Sequence, residues 1–330
     1  LNRIALVGAE TLLAREFRDL LAQRKPAPRL ELLTGREEKV ALISEQEGEA
    51  VAMAGLEEHS LDGVELALLA GSPPTSRKAL RLARKSGSLL VDLTGALEEQ
   101  PAARLRAPLV ETEPVALTAE RIHVIAHPAA IALTLFFSRL DACGPIRRAI
   151  VHVFEPASER GQAGIDELQK QSIALLNFQQ MPRDIYDAQV GFNLLARYGS
   201  EAYEPLEDIE QRIDRHLASL LGPWPRIPLP SLKLIQAPVF HGYSFSLWVE
   251  FAESRSREDL AGALASAQIE VRSGEEEAPT NVGAAGQAGV TVGVIEPDRN
   301  DSRSWWFWMV ADNLRLSAEN ALAVLREEML

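Results

Sequence analysis

Residues 3–8 form a short apolar run ending in glycine, too brief for a helix, which predicts a buried strand. Residues 12–23 then place Leu13, Phe17, Leu20 and Leu21 on one face at helical spacing. Short apolar strands are expected at 30–33, 66–70 and 89–92, with a basic amphipathic helix at 75–85 closed by Gly87. Strands and helices that alternate in this way pack as a parallel, doubly wound sheet. Residues 1–129 are therefore expected to form a Rossmann-like α/β domain.

The pattern changes near Pro145. A strand is predicted at 148–154, then a helix at 161–178 with Ile165, Leu168, Leu175 and Leu176 along one stripe. Tyr243, Phe245, Leu247, Val249 and Phe251 alternate cleanly with more polar residues, and further strands are predicted at 290–295 and 305–310. This is an α+β pattern, with helices on one face of a mostly antiparallel sheet, assigned to 130–312. An amphipathic helix ends the chain. The segment 273–289, with three consecutive glutamates and four glycines, reads as a mobile loop.

Composition narrows the possibilities. The 330 residues are 46% hydrophobic and 25% charged, as expected of a globular protein of about two domains. A formal charge of −13 argues against nucleic acid and anionic membranes as partners, because both need a basic surface. No apolar run approaches the ~18 residues of a membrane span, and no secretory pattern opens the chain, so the expected compartment is the cytoplasm. Cys143 is the only cysteine and the six histidines lack metal-motif spacing, so no metal site is expected.

The segment Val7-Gly8-Ala9-Glu10-Thr11-Leu12-Leu13-Ala14 stands between the first strand and first helix, where a dinucleotide-binding glycine loop belongs. Only Gly8 survives. Thr11 replaces the glycine that lets backbone amides approach a pyrophosphate, and Glu10 adds negative charge beside the helix N-terminus. An ordinary strand-to-helix turn is the simpler reading. Arg36, after the second strand, could pair with a ribose 2′-phosphate or be an ordinary surface residue.

Four ordered segments resemble the aspartate-semialdehyde dehydrogenase family nearly end to end. Residues 7–14 resemble its V-G-A-T-G-x-V-G loop, and 90–96 its V-V-D-N-S-S-A strand end. Residues 161–168 resemble G-x-G-K-A-G-M-D-E-L, and V-A-D-N-L-R is intact at 310–315. The resemblance implies an N-terminal Rossmann domain, a C-terminal dimerisation domain, and a last helix, 313–330, returning to the first domain. It also implies NADP as the family's cofactor. Here a cofactor cradle would comprise Gly8, Thr11, Leu12, Leu13, Thr34, Arg36 and Asn313.

The same resemblance implies that the chemistry has been lost. The family's reaction needs a thiolate to attack an aldehyde, since a thiol is both nucleophile and leaving group. Its N-P-N-C-S/T segment corresponds to His127-Pro128-Ala129-Ala130-Ile131, placing Ala130 at the nucleophile. The glutamine of Y-Q-A-V-S-G corresponds to Glu155, and the arginine of R-V-P-V, which grips a carboxylate, to Gln236. The catalytic histidine corresponds to Tyr243, and the phosphate-contacting lysine of E-E-x-K to Glu210. A phenol with an ordinary pKa of about 10 does not replace an imidazole near neutrality.

Other residues offer little in exchange. Cys143 reads as a buried structural thiol, and Trp305, Trp306, Phe307 and Trp308 as core and interface residues. His127 is the best candidate for new chemistry. The expectation is a non-catalytic homodimer without cofactor, or a heterodimer with an active paralogue, serving as an interaction or regulatory protein. The competing expectation is an NADP-dependent oxidoreductase with an altered active site.

Overall fold

A computed structural model describes residues 3–23, 28–35, 43–46, 49–112, 121–272 and 274–329. The chain divides into two compact units, Leu1–Ala126 with Ser317–Leu330, and His127–Leu316.

The first unit runs β1 (Ile4–Val7), α1 (Leu12–Ala22), β2 (Leu30–Thr34), β3 (Ile43–Gln46), β4 (Glu49–Ala52), β5 (Ala54–Gly55), β6 (Leu66–Leu69), α2 (Pro73–Ser86), β7 (Leu89–Asp92), β8 (Ala103–Arg106) and β9 (Ile122–Ile125). Seven of these strands form one parallel sheet in the order β5-β2-β1-β6-β7-β9-β8, while β3 and β4 pair as a separate hairpin. The strand order reverses between β1 and β6, the crevice where ligands of open α/β sheets bind. Strands β1 and β6 are buried throughout, which explains their continuous apolar sequences. Helix α2 starts at the Ser72 cap with Pro73 and ends at Gly87, whose φ of +78° favours a residue without a side chain. Arg106, fully buried, is neutralised by Glu111 at 2.9 Å and Glu327 at 2.5 Å, fastening the end of the chain to β8.

The second unit runs α3 (Pro128–Leu140), a 3-10 turn at Asp141–Cys143, β10 (Ile146–Glu155), a 3-10 turn at Ala157–Arg160, α4 (Gly161–Leu176), α5 (Leu206–Leu220), β11 (Ser231–Gln236), β12 (Tyr243–Phe251), α6 (Arg257–Leu264), β13 (Ile269–Val271), α7 (Asn281–Ala284), β14 (Val290–Pro297), β15 (Ser304–Ala311) and the start of α8 (Asn313–Met329). Its six-stranded sheet has the order β11-β10-β12-β15-β14-β13. The central pairings are antiparallel, and only the edge strands β11 and β13 pair in parallel. The expected α/β and α+β architecture is therefore present.

Two features of the second sheet refine the reading of its apolar residues. The alternating face of Tyr243, Phe245, Leu247, Val249 and Phe251 is completely buried in the single chain. Phe136 of α3 meets Phe307 edge-on at 5.1 Å, so that face needs no second subunit to cover it. Trp305 and Phe307 also point inward, whereas Trp306 is 40% exposed on the opposite face. Strand pleating makes burial alternate, so the tryptophan run is not buried against both faces.

Of the 273–289 loop, Ser273 lies outside the described residues. The remainder is tied down around α7. Thr280 caps that helix, Asn281 bonds the Gly242 carbonyl and Ser244, and Gly286 N–H donates to Asp312. Cys143 is half-buried rather than buried, with its thiol 3.6 Å from the Asp259 carbonyl. Among the described residues, no helix is long and apolar enough to cross a membrane.

Candidate active site

Helix α3 begins where the resemblance places the nucleophile. Pro128 sits in its first turn, and His127 caps it by accepting the Ala129 N–H at Nδ1, 3.3 Å away. That bond places the proton of a neutral imidazole on Nε2. The His127 N–H in turn donates to His216 Nδ1 at 2.9 Å. Burial, followed by His216, Arg212 and Arg160, holds the His127 pKa well below its ordinary value, so the ring stays neutral. Ala130 contributes a fully buried methyl group in the first turn.

Strand β10 delivers Glu155 at its last position, fully buried. Its Oε1 accepts from Arg160 Nη2 at 2.8 Å and lies 3.3 Å from the Tyr198 hydroxyl. The single hydroxyl proton of Tyr198 is committed to the shorter contact, Gln236 Oε1 at 2.6 Å. Gln236 spends its amide protons on the Glu155 and Ala237 carbonyls, both at 2.9 Å. Every polar atom of the Gln236 side chain is thus engaged inside the protein.

Arg160 spans two carboxylates, with Nη1 2.8 Å from Glu204 and Nη2 on Glu155. Glu204 also accepts from Arg212 at 2.6 Å. Burial works to raise the Glu204 pKa, but the two arginines outweigh it and hold it low. Tyr243, at the start of β12, is fully buried, and burial pushes its pKa far up. Its ring centroid lies 6.1 Å from that of His127. Its hydroxyl lies close enough to Glu159 to favour the carboxylate, yet makes no hydrogen bond of ordinary geometry. Asn313, buried at the start of α8, donates to Glu159 at 2.9 Å and accepts from Ser158 and from the Gly242 N–H.

Glu159 is the unbalanced member of this cluster. Burial raises its carboxyl pKa to about 7, reinforced by the neighbouring Glu155 charge and opposed by Arg160. His127 Nε2 faces it at 3.9 Å, too far for a hydrogen bond. The structure therefore assembles Glu155, Gln236 and Tyr243 into one cluster bordered by the His127 cap. It leaves Glu210 outside the cluster, holding Lys233 at 3.0 Å and the Leu234 N–H at 2.7 Å beside β11.

Sequence reasoning did not single out Glu159, Arg160, Tyr198 or Glu204. For Glu159 a signal existed: it follows Ser158 where the family stretch Y-Q-A-V-S-G has glycine. Tyr198 and Glu204 lie in an irregular segment whose local pattern carries no such cue.

The predicted dinucleotide loop, in the first unit, keeps one feature of a nucleotide site. Gly8 has a φ of +80°, and a Cβ there would stand 2.2 Å from the Gly71 Cα. Thr11 turns its hydroxyl inward, capping α1 through the Ala14 N–H at 3.2 Å and lying 2.8 Å from the Ala70 carbonyl. One Glu10 carboxylate oxygen is buried without a hydrogen-bond partner just before the α1 N-terminus. Leu12 and Leu13 are half-buried and Thr34 is buried at the end of β2. Arg36 lies outside the described residues.

Residues 139–316 match the family model of the semialdehyde dehydrogenase dimerisation domain. A USG-1 protein homolog of Pseudomonas aeruginosa is 32% identical, with 98% of this chain and 96% of that protein aligned. The aspartate-semialdehyde dehydrogenase of Rickettsia bellii is 23% identical across 99% and 97% of the two chains. The structure of a probable aspartate-semialdehyde dehydrogenase from Pseudomonas aeruginosa superposes with a TM-score of 0.87 at 29% identity, covering 99% of this chain and 98% of that one. The chain belongs to the aspartate-semialdehyde dehydrogenase family. Of these three relatives, the USG-1 protein homolog is the most alike in sequence.

Proposed function

We propose that this chain is a non-catalytic, dimeric member of its family that acts by interaction, in the cytoplasm and in the setting of amino-acid biosynthesis. The observation that carries this reading is the internally paired cluster at the positions of the catalytic groups. Arg160 joins Glu155 to Glu204, Gln236 is saturated by protein partners, and Ala130 offers no nucleophile. A working site keeps polar groups free for substrate, whereas here Glu155 Oε1, both terminal nitrogens of Arg160 and the whole Gln236 amide are paired inside the protein, with Glu155 Oε2 and Arg160 Nε left buried without a partner. Removing the nucleophile alone costs on the order of 10⁶ in rate in a comparable triad enzyme.

The residues of the first unit do not fit NADP, the cofactor that the family resemblance implies. Glu10 presents an unpaired buried carboxylate oxygen beside the helix end that would receive a pyrophosphate, and Thr11 fills the second glycine position. The partner is a second copy of the chain, or an active paralogue in a heterodimer. The deciding experiment is native mass spectrometry of protein isolated from its own host, which weighs bound ligand and co-purifying subunit together. A stoichiometrically bound dinucleotide, with turnover of aspartate semialdehyde by the same purified species, would overturn the proposal.

A further inference from the structure

The Ala157–Arg160 turn carries Glu159 into the cluster, and groups from every surrounding element face it. The cap of α3 presents His127, with His216 and Arg212 of α5 behind it. The end of β10 presents Glu155 and the turn itself Arg160, and these in turn contact Tyr198 and Glu204 of the 177–205 segment. Strand β11 presents the uncharged Gln236, β12 Tyr243, and α8 Asn313.

Three carboxyl groups, Glu155, Glu159 and Glu204, share this space with two guanidinium groups, Arg160 and Arg212. Both terminal nitrogens of Arg160 are held by Glu155 and Glu204, and Arg212 reaches Glu204. The hydrogen bond made to Glu159 comes from the neutral Asn313 amide. Ionised, Glu159 would be a largely buried charge beside the Glu155 carboxylate, an arrangement that costs far more than a neutral carboxyl. Moving the proton to His127 gives no relief, because burial, His216 and the two arginines oppose an imidazolium there. The Tyr243 hydroxyl, buried and otherwise without a hydrogen-bond partner, stands beside the carboxyl that keeps the proton.

We infer that Glu159 is a proton-operated latch, holding the Ala157–Arg160 turn against the starts of α3 and α8 while protonated and releasing that turn when ionised. The inference does not depend on whether the chain is catalytically inert. Release needs only that the turn swing Glu159 into water, breaking its Asn313 bond, since the carboxylate is better solvated there than beside Glu155. A carboxyl pKa near neutrality places this transition in the physiological range.

Hydrogen exchange of the full chain, read on a peptide spanning 155–161 and divided by the intrinsic exchange rate, tests it. Opening should rise about tenfold per pH unit from about 4.5, where a solvated carboxyl ionises, and level off at a midpoint near 7, where the folded carboxyl itself ionises, the slope being that of one released proton. Glu159→Gln, which mimics the protonated form, should stay protected with no midpoint. Glu204→Gln frees guanidinium charge to steady ionised Glu159 and should move the midpoint to lower pH. That shift would be expected only of a charge-coupled latch, and it carries the test should Glu159→Gln fold poorly. A midpoint that persists in Glu159→Gln, or that Glu204→Gln leaves in place, overturns the latch.

Discussion

Arg160 Nη2 donates to Glu155 Oε1 at 2.8 Å, and that carboxylate is completely shielded from solvent. The same guanidinium reaches Glu204 with its other terminal nitrogen, so one side chain neutralises two acidic residues from different segments. A planar fork can do this where a single ammonium cannot. The pair links the end of β10 to the segment before α5, and it stands where a catalytic glutamine is expected from the family pattern.

Arg160→Ala should therefore destabilise the protein by about 3–5 kcal/mol, because it leaves buried Glu155 without its counter-charge. Arg160→Lys should recover only part of this, having no second arm for Glu204. Urea denaturation of the three proteins at neutral pH measures the difference. A loss below about 1 kcal/mol, as for an exposed ion pair, would show that Glu155 is hydrated.

Purified protein should not reduce NADP with aspartate semialdehyde and phosphate. Ala130→Cys alone should also be inactive, since Gln236 and Tyr243 supply neither a bidentate carboxylate grip nor a base near neutrality. Absorbance of the reduced cofactor under substrate saturation is the measurement. Turnover by the single variant would mean that Glu159 or His127 can act as the base.

The fold was legible because its main signals are local. Continuous apolar runs mark β1 and β6, and period-two alternation marks β12. The segments shared with the family also have visible structural duties. Glu167 accepts the Ile185 N–H at 2.7 Å, a Cβ on Gly164 would strike the Tyr186 hydroxyl, and Asp312 caps α8 through the Leu314 and Arg315 N–H groups. Helix α5 carries the same kind of local signal, with Leu206, Ile209, Ile213 and Leu217 repeating at helical spacing. The site was less legible than the fold. Substitutions at 130, 155, 236 and 243 announce what was lost, but the replacement network depends on Arg160 meeting Glu204 across 44 residues. No periodicity encodes such a contact.

Dinucleotide affinity should be weak, with any dissociation constant for NADP well above the micromolar range. A loss of a few kcal/mol from repulsion and lost backbone approach corresponds to roughly 10² or more in affinity. Glu10→Ala with Thr11→Gly should tighten binding if those side chains are the obstacle. Calorimetry on both proteins decides between obstruction and a loop unsuited for other reasons.

Two groups of the cluster should make opposing contributions to the pH dependence of stability. Glu159 has a folded pKa of about 7 against an ordinary 4.5, so its contribution is full below 4.5 and lost as pH rises toward 7. The loss is about 3 kcal/mol at most by linkage. His127 is held below its ordinary 6.5, so its contribution is full above 6.5 and lost as pH falls beneath it. Between 4.5 and 6.5 these slopes oppose. Glu159→Gln should make stability rise with pH in that window, and His127→Asn, which keeps a capping side chain, should make it fall. Thermal melts across the window should find wild type flatter than either variant. Parallel curves for all three would contradict both assignments.

Dimerisation should use the outer face of the second sheet. The inner face is already covered, whereas Ile150 on β10 is 42% and Trp306 on β15 40% exposed, on either side of β12 and on the face that also carries half-buried Trp248 and Trp308. Trp248 and Trp306 are directly opposed across β12 and β15, and both indole N–H groups donate to one Asp298 oxygen, at 3.0 and 2.9 Å. Held in this way, the two rings lose little freedom on being covered, which favours association. Tryptophans in such positions dominate interface energies. An obligate interface on this face would bury over ~2,000 Å², and sedimentation should report about twice the 36.2 kDa chain at micromolar concentration. Ile150→Glu with Trp306→Glu puts four like charges into a two-fold contact and should give folded monomer. A double variant that stays dimeric would move the interface elsewhere, to the exposed Leu176, Phe178 and Phe192 for example. A wild-type monomer would instead remove the dimer itself, and with it the reason for assigning this chain an interaction role.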